Sequence, residues 1–432
     1  MKTPRLRKIA VIGAGIAGLT CAYELQKAGF AVTVYEKENF VGGRMSTRTK
    51  KDMPFDIGAN HLANVYTEMK KYCTALDVSW QKMFFLQYGI ARGGNILPLT
   101  AGVSWVSKLR LSLQFLKCGK GIDFFDLSTA GAYEHDNAYD FMKRKTGREI
   151  ADYYVDPFAS TYQFHRAREI SVSALLGVMQ SIKYHKKDWD LHNTKGGMSA
   201  LPNALAKQLH VRTTTPVTHI HAKKERVEIV TKGKTESFEK AVLATTAGIT
   251  KKIYKNPTTE QQKALDETTY SSTISIAFRV PSKKIHYYSV IWAPYIESNA
   301  ISGFSNEKMK GEYLIHKDKS MISIWLHEDF AKKILDKPDK DIFFLVRKEF
   351  LKICSWFNED EMEGYDLQRW SEAMPKFSQG HITHVTQFLK KGQGENNIYF
   401  CGDYLNSPWT EGALRCGQRV AQQIIASYKP AQ

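Results

Sequence analysis

The sequence predicts an α/β protein of two domains, one of them discontinuous. Three observations carry that expectation. An apolar strand beginning at Arg7 runs straight into Gly13-x-Gly15-x-x-Gly18. A second strand, AVTVYE, ends on the carboxylate of Glu36. Strand-like runs with the same β-branched character return far downstream, near 195–245 and again at 397–428. One parallel sheet assembled from scattered pieces, of Rossmann-like type, accounts for all three.

Each element has a physical reason. Gly13 permits a tight strand-to-helix turn, Gly15 lets backbone approach a pyrophosphate, and Gly18 lets the helix pack close to the strand. The helix reads Ile16 to Lys27 and stops at Gly29, a residue suited to a C-cap. Its first turn offers N–H groups and a positive dipole end to phosphate. Glu36 stands where a carboxylate accepts ribose hydroxyls. Next comes Phe40-Val41-Gly42-Gly43-Arg44. The glycine pair can bring backbone beside a second phosphate or a ribityl chain, and Arg44 can neutralise pyrophosphate charge.

Residues about 61–190 read as largely helical and about 250–395 as mixed. SSTISIAFRV and SMISIWLHE have strand character, and KDIFFLVRKEFLKIC is an amphipathic helix. In the returning segments, HVRTTTPVTHIHA, KERVEIVT and ESFEKAVLAT read as successive strands. NIYFC then forms a strand, Gly402-Asp403 a turn, and Glu411 to Tyr428 a helix. The inserted segments are expected to build a substrate domain, with a pocket where they meet the dinucleotide domain.

Composition bounds the function. At 432 residues, 43% hydrophobic and 24% charged, the chain is ordinary for a globular protein. It has no apolar uncharged run of about 18 residues, so no membrane-spanning helix is expected. The basic start, MKTPRLRK before an apolar segment, imitates a leader, but the glycine turn explains the same residues. A cytoplasmic protein is expected. The six cysteines are scattered without a CxxC, as in a reducing compartment, and Cys21 and Cys401 read as core fillers. His219 and His221 would share one face of a strand, as a surface pair or as metal ligands.

The net charge of +17 permits nucleic acid, anionic membrane or acidic substrates without choosing among them. No nucleic-acid recognition motif accompanies it, so no nucleic acid is expected. From Val78 to Ile122 there is no acidic residue, while Lys82, Arg92, Lys108, Arg110, Lys117 and Lys120 alternate with aromatic side chains. Val103, Val106, Leu109, Leu113 and Leu116 recur there at helical spacing. The expectation is a helix buried by that stripe on its own domain, with a solvated basic edge. The alternative is peripheral membrane contact through 78–122.

The sequence resembles the flavin amine oxidase superfamily, which takes in amine oxidases, protoporphyrinogen oxidases and carotenoid desaturases. GGR after Glu36 is similar to its extended fingerprint, and Phe55-Asp56-Ile57-Gly58-Ala59 to the strand that follows. The stretch containing Asp156-Pro157-Phe158, Tyr162 and Ser171 resembles protoporphyrinogen oxidases and desaturases. Gly196-Gly197-Met198-Ser199-Ala200-Leu201-Pro202, Arg369-Trp370 to Pro375 with Gly380-His381, and Cys401-Gly402-Asp403 with Glu411-Gly412-Ala413 resemble further shared elements. Together these span nearly the whole chain.

The resemblance implies a Rossmann-like FAD-binding domain at 1–60, 195–250 and 395–432, and an α+β substrate-binding domain at 61–194 and 251–394. It implies FAD and hydride transfer from substrate carbon to flavin. The cofactor-binding set is Gly13, Gly15, Ala17, Gly18, Glu36, Lys37, Gly42, Gly43, Arg44, Val217, Gly402, Asp403, Glu411, Gly412 and Ala413. Within it, Val217 is implied at the adenine, and Gly412, Ala413 and Leu414 offer N–H groups to the flavin N1/O2 edge. Trp409 is the candidate substrate wall, or else packing. No cysteine stands near Arg369 to Pro375, so non-covalent FAD is expected. The family's lysine beside flavin N5 has no match, Lys283 and Lys284 reading as surface. The substrate is a small molecule, either a tetrapyrrole- or polyene-like hydrophobe or an amine. The alternative is a flavin-binding protein with a binding or assembly role.

Overall fold

The computed structural model describes residues 7–50, 53–284, 288–311 and 318–428. Residues 1–6 of the basic start and 429–432 of the last expected segment lie outside the described residues.

A five-stranded sheet forms the base of the molecule. Its spatial order is Val211–Arg212, Ala31–Tyr35, Lys8–Ile12, Lys240–Leu243 and Ile398–Phe400, and every pairing is parallel. The strands are almost wholly buried, as expected when helices cover both faces. The chain leaves Lys8–Ile12 toward one side and later returns to the other. The carboxyl ends of Lys8–Ile12 and Lys240–Leu243 therefore flank a switch point, where such sheets bind ligands. Helix Ile16–Lys27 follows the glycine turn, with Ala28 as its C-cap and Gly29 at φ +89° behind it. It packs against the closing helix Thr410–Ala426, and Gly417 permits that contact: a Cβ there would sit 2.4 Å from the Ala17 carbonyl.

The second sheet has seven strands, ordered Glu363–Pro375, Tyr270–Pro281, Lys319–Leu326, Ile301–Asn306, Val290–Trp292, Tyr88–Arg92 and Asn95–Pro98. The long runs of the sequence reading are here, and KDIFFLVRKEFLKIC is helix Asp339–Ile353. Two expectations change. Residues 61–190 contribute Tyr88–Arg92 and Asn95–Pro98 to this sheet, although the segment reads as helical. These strands are short and join through a parallel pairing with Val290–Trp292 some two hundred residues away. Local periodicity carries no trace of such a partner. ESFEKAVLAT also breaks at Glu239, placing Lys234–Phe238 in a small antiparallel sheet and Lys240–Leu243 in the parallel one.

The core under the parallel sheet is broader than the expected boundaries. It takes Leu62, Met69, Phe124, Val385 and Phe388 from segments assigned to the other half. A helical stripe shows that a face is buried, not which core receives it. His219 and His221 do share a face, with parallel rings 6.2 Å apart. All six cysteines are free and buried.

Candidate functional site

A cleft opens at the switch point and encloses about 1190 Å³ including its mouth. One wall is made by the turns that end the parallel strands: Gly15, Ile16 and Ala17, then Gly42, Arg44, Ala244, Thr245, Gly402, Asp403 and Ala413. The facing wall is made by His61, Tyr66, Tyr162, Phe164, Trp325, Trp370 and Trp409, with Thr273 and Ser275 between them.

The glycine turn has the shape that its spacing demands. Gly13 sits at φ +102°, and a Cβ there would lie 2.8 Å from the Ala244 carbonyl oxygen. At Gly18 a Cβ would meet the Gly13 carbonyl oxygen at 2.1 Å. Gly15 differs, since a Cβ there would meet nothing within 4 Å because it faces the cleft. Gly43 stands close by, its would-be Cβ 3.6 Å from the Gly15 Cα. The Glu36 carboxylate accepts hydrogen bonds from the backbone N–H of Ala14 (2.8 Å) and Glu38 (3.0 Å). It therefore hangs beside the turn with lone pairs to spare for ribose hydroxyls. The backbone N–H of Thr215 donates to the Glu36 carbonyl, which brings the loop before Val217 to the same edge. Val217 opens strand Val217–Ala222 without lining the cleft, and Lys37 is an exposed side chain paired with Glu38.

Arg44 and Asp403 meet. The guanidinium donates to both Asp403 carboxylate oxygens at 2.8–2.9 Å and to the Ala373 carbonyl at 2.7 Å. The GGR turn is thereby clasped to the Gly402-Asp403 turn from the far end of the chain. Arg44 offers a phosphate only the charge left over from this pair, which makes it a positioning residue first.

The closing helix departs from expectation. Trp409 is its N-cap, so the first-turn N–H groups without an intrahelical acceptor belong to Thr410, Glu411 and Gly412. Ala413 already donates to the Trp409 carbonyl (2.9 Å), so the donor set moves toward the N-terminus, leaving Ala413 and Leu414 out. The Glu411 side chain turns away from the cleft. It accepts hydrogen bonds from the N–H groups of Glu68 and Met69, opening helix Thr67–Ala75, and pairs with Arg415. Gly412 is needed for packing, since a Cβ would lie 2.6 Å from the Ser407 carbonyl oxygen.

Trp409 both lines the cleft and packs. Its ring centroid lies 5.4 Å from Phe124 and 6.4 Å from each of Phe158 and Tyr162. Tyr162 is the hub of this wall, 5.7 Å from His61 and 6.4 Å from Trp325. Tyr162 and Trp370 stood inside recognised motifs, yet the site reading missed both as wall residues, along with His61 and Trp325. Their convergence depends on strand Tyr270–Pro281 and its neighbours, which spacing along the chain does not reveal.

Behind His61 lies a buried charge cluster. Lys310 pairs with Asp56 (2.7 Å) and Glu307 (2.5 Å), and Asn60 donates to Glu307 (2.9 Å). Burial alone would lower the Lys310 pKa, but the two carboxylates hold it above the usual lysine value. Burial, aided by Lys310, pushes His61 down to about 4. Burial also lifts Tyr162 to about 12. At neutral pH His61 and Tyr162 are thus both uncharged.

Two further histidines set a pH limit on stability. Burial lowers His165 to about 4 and His327 to about 3, the latter helped by Arg166. The unfolded chain binds protons on these rings from about pH 6.5 downward, whereas the folded chain does not. Stability is therefore fully present above pH 6.5 and lost as pH falls toward 4. Each ring contributes a slope on the order of 1.4 kcal/mol per pH unit within that window. Thermal unfolding followed between pH 7.5 and 4.5 should show a falling Tm; a flat profile would contradict neutral burial of both rings.

A strand–glycine turn–helix at the switch point of a parallel sheet, with the Glu36 carboxylate hanging beside it, has the form of a dinucleotide-binding protein. The profile of the family described as "Flavin containing amine oxidoreductase" matches residues 16–425. The chain belongs to that family, and its cofactor is FAD, the flavin that carries a dinucleotide.

It is 28% identical over 165 residues to protoporphyrinogen oxidase 2 of Arabidopsis thaliana, covering 35% of this chain and 32% of that one. It is 43% identical over 154 residues to 4,4'-diapophytoene desaturase of Staphylococcus aureus, covering 34% and 30%. These matches span about a third of each relative's length. Among solved structures, putrescine oxidase with putrescine bound superposes with a TM-score of 0.78 over 98% of this chain and 99% of that one, at 16% identity. At that identity the likeness is one of fold.

Proposed function

We propose that this protein is an FAD-dependent oxidoreductase that dehydrogenates an organic substrate in the cleft between its five-stranded parallel sheet and its seven-stranded sheet. In this reading residues 1–60, 195–250 and 395–432 hold FAD, and 61–194 with 251–394 hold the substrate. One observation carries it: the phosphate-binding turn and an aromatic wall face each other across a single cleft. Non-covalently bound FAD supplies the two-electron acceptor for a substrate hydride. The absence of cysteine from the lining residues supports the non-covalent mode.

The chain's own residues bind, orient and exclude water. Gly15 and the first turn of helix Ile16–Lys27 receive the pyrophosphate, and Glu36 accepts the ribose hydroxyls. The Arg44–Asp403 clasp holds together the two turns nearest the reacting centre. Tyr162, Trp325, Trp370 and Trp409 present large apolar faces that orient a substrate at little entropic cost. Dehydrogenation removes a hydride and a proton from the substrate: the hydride would pass to bound FAD, and the proton to solvent at the mouth of the cleft, since His61, held at about 4, and Tyr162, at about 12, are poor bases at physiological pH.

The lining supports a neutral hydrophobe, of polyene or tetrapyrrole class, over an amine. Among the described residues its only carboxylate is Asp403, already taken by Arg44, so a cationic amine would find ring faces and neutral hydroxyl and amide oxygens but no free counter-charge. Anaerobic titration of the flavin band with polyenes, porphyrinogens and amines tests this directly. Bleaching by a hydrophobe is expected; bleaching by amines alone would reverse the substrate class. Bleaching by none would favour the second reading, a flavin-binding protein without turnover, which the lack of a neutral-range acid or base in the cleft keeps in view. All six cysteines being free supports a reducing, cytoplasmic setting.

Trp409→Ala is expected to lower kcat/KM by roughly tenfold or more while flavin content stays unchanged. Trp409→Phe should recover much of that loss. Equal turnover in wild type and Trp409→Ala would restrict this indole to packing.

A further inference from the structure

Helix Trp105–Lys117 carries its apolar stripe on the outside. Trp105 is 73% exposed, Leu109 52%, Leu113 47% and Leu116 71%. Val103, the first residue of the expected stripe, is buried ahead of the helix, but Val106, Leu109, Leu113 and Leu116 do not bury the helix on its own domain, which corrects that expectation. The face turned inward is instead that of Ser107, Leu111 and Phe115. At about 100° per residue, Trp105, Leu109, Leu113 and Leu116 fall on one side, flanked by Lys108 on one edge and Arg110 with Lys117 on the other.

The exposure is built in. Ser104 caps the helix by accepting from the Ser107 N–H, and Glu149 accepts from both the Ser104 and Ser107 hydroxyls at 2.5–2.6 Å. Those hydrogen bonds, with the Ser104 N–H and Arg92, hold the Glu149 carboxyl down to about 2 against the opposing effect of burial. At the other end the Lys183 ammonium donates to the Leu116 and Cys118 carbonyls. Polar contacts pin both ends of the helix by its inner face, so the apolar arc cannot rotate inward.

We propose that helix Trp105–Lys117 docks this protein on an anionic lipid surface, the apolar arc entering the headgroup boundary and Lys108, Arg110 and Lys117 pairing with lipid phosphates. An apolar arc edged by cations is the arrangement of a helix lying in the plane of a bilayer. A cationic fringe adds attraction to anionic lipid. Charge selects lipid over a second copy of the chain. A symmetric contact would set these cations against themselves, and no acidic residue between Val78 and Ile122 offsets them. Among the described residues no helix is long and apolar enough to cross a membrane, so the contact is with one leaflet.

Flotation of the full-length, FAD-loaded protein with vesicles tests the proposal independently of any substrate. The protein should float with phosphatidylcholine vesicles containing phosphatidylglycerol at low ionic strength, and less with phosphatidylcholine alone. Leu109→Glu/Leu116→Glu should reduce the floated fraction about tenfold at unchanged flavin content. Lys108→Glu/Lys117→Glu should remove the preference for anionic lipid. Failure of wild type to float, or equal flotation of Leu109→Glu/Leu116→Glu, would overturn the proposal. So would equal partition onto neutral vesicles, or a lipid-free dimer that Leu109→Glu/Leu116→Glu converts to monomer.

Discussion

Gly15→Val is expected to yield a folded protein without flavin. The three glycines of the turn separate cleanly by what surrounds them. Gly13 and Gly18 are held against the backbone, where any Cβ must displace main chain. Gly15 has open space ahead of it, so valine is accommodated by the fold and occupies the room proposed for the pyrophosphate. Flavin per protein should drop at least about tenfold, equivalent to about 1.4 kcal/mol or more in cofactor affinity. Thermal unfolding should resemble that of wild-type protein stripped of flavin. Wild-type flavin retention in Gly15→Val would remove the phosphate site from this turn. Gly18→Val should fail to fold, which makes it the contrasting control.

Lys310→Met is expected to give a large loss of stability. It leaves Asp56 and Glu307 buried together without the cation that both require. Breaking a buried pair in this way costs on the order of 3–5 kcal/mol. Chemical denaturation at pH 7 measures the loss. The deficit should shrink as pH falls, because protonating the Glu307 carboxylate, which Lys310 holds low against burial in the wild type, removes an unpaired buried charge. His61 should also titrate higher, since the nearby ammonium helps to hold it down. A variant as stable as wild type would mean that solvent reaches the cluster. Adding Asp56→Asn should recover part of the loss, through a coupling that a double-mutant cycle isolates.

Local elements were legible in the sequence wherever a short-range cause determines them. Helix Ile16–Lys27 and strand Ala31–Tyr35 follow from a glycine turn, a glycine after the helix and a β-branched run. Matters settled by distant partners were not legible. Tyr88–Arg92 is a strand because Val290–Trp292 lies beside it, and Trp325 lines the cleft because three strands bring it there. Helix Trp105–Lys117 makes the sharpest case. Its periodicity is plain, yet which side faces the protein is decided by Glu149 and Lys183, whose contacts no stripe of leucines announces. Glu411 is similar, since its motif position suggests the flavin while its carboxylate serves the start of a neighbouring helix.

The clasp between Arg44 and Asp403 has a consequence for how the protein is made. As the chain emerges from the ribosome, the glycine turn, Glu36 and Arg44 are made together. The carboxylate that Arg44 grips follows 359 residues later, shortly after the sheet edge formed by Ile398–Phe400. A nascent chain must therefore keep an apolar parallel sheet incomplete across that whole interval, a long-range closure that is slow and exposed to aggregation. Chains terminated before Asp403 should remain colourless, so the yellow of a purified sample reports synthesis past Asp403 as well as cofactor supply.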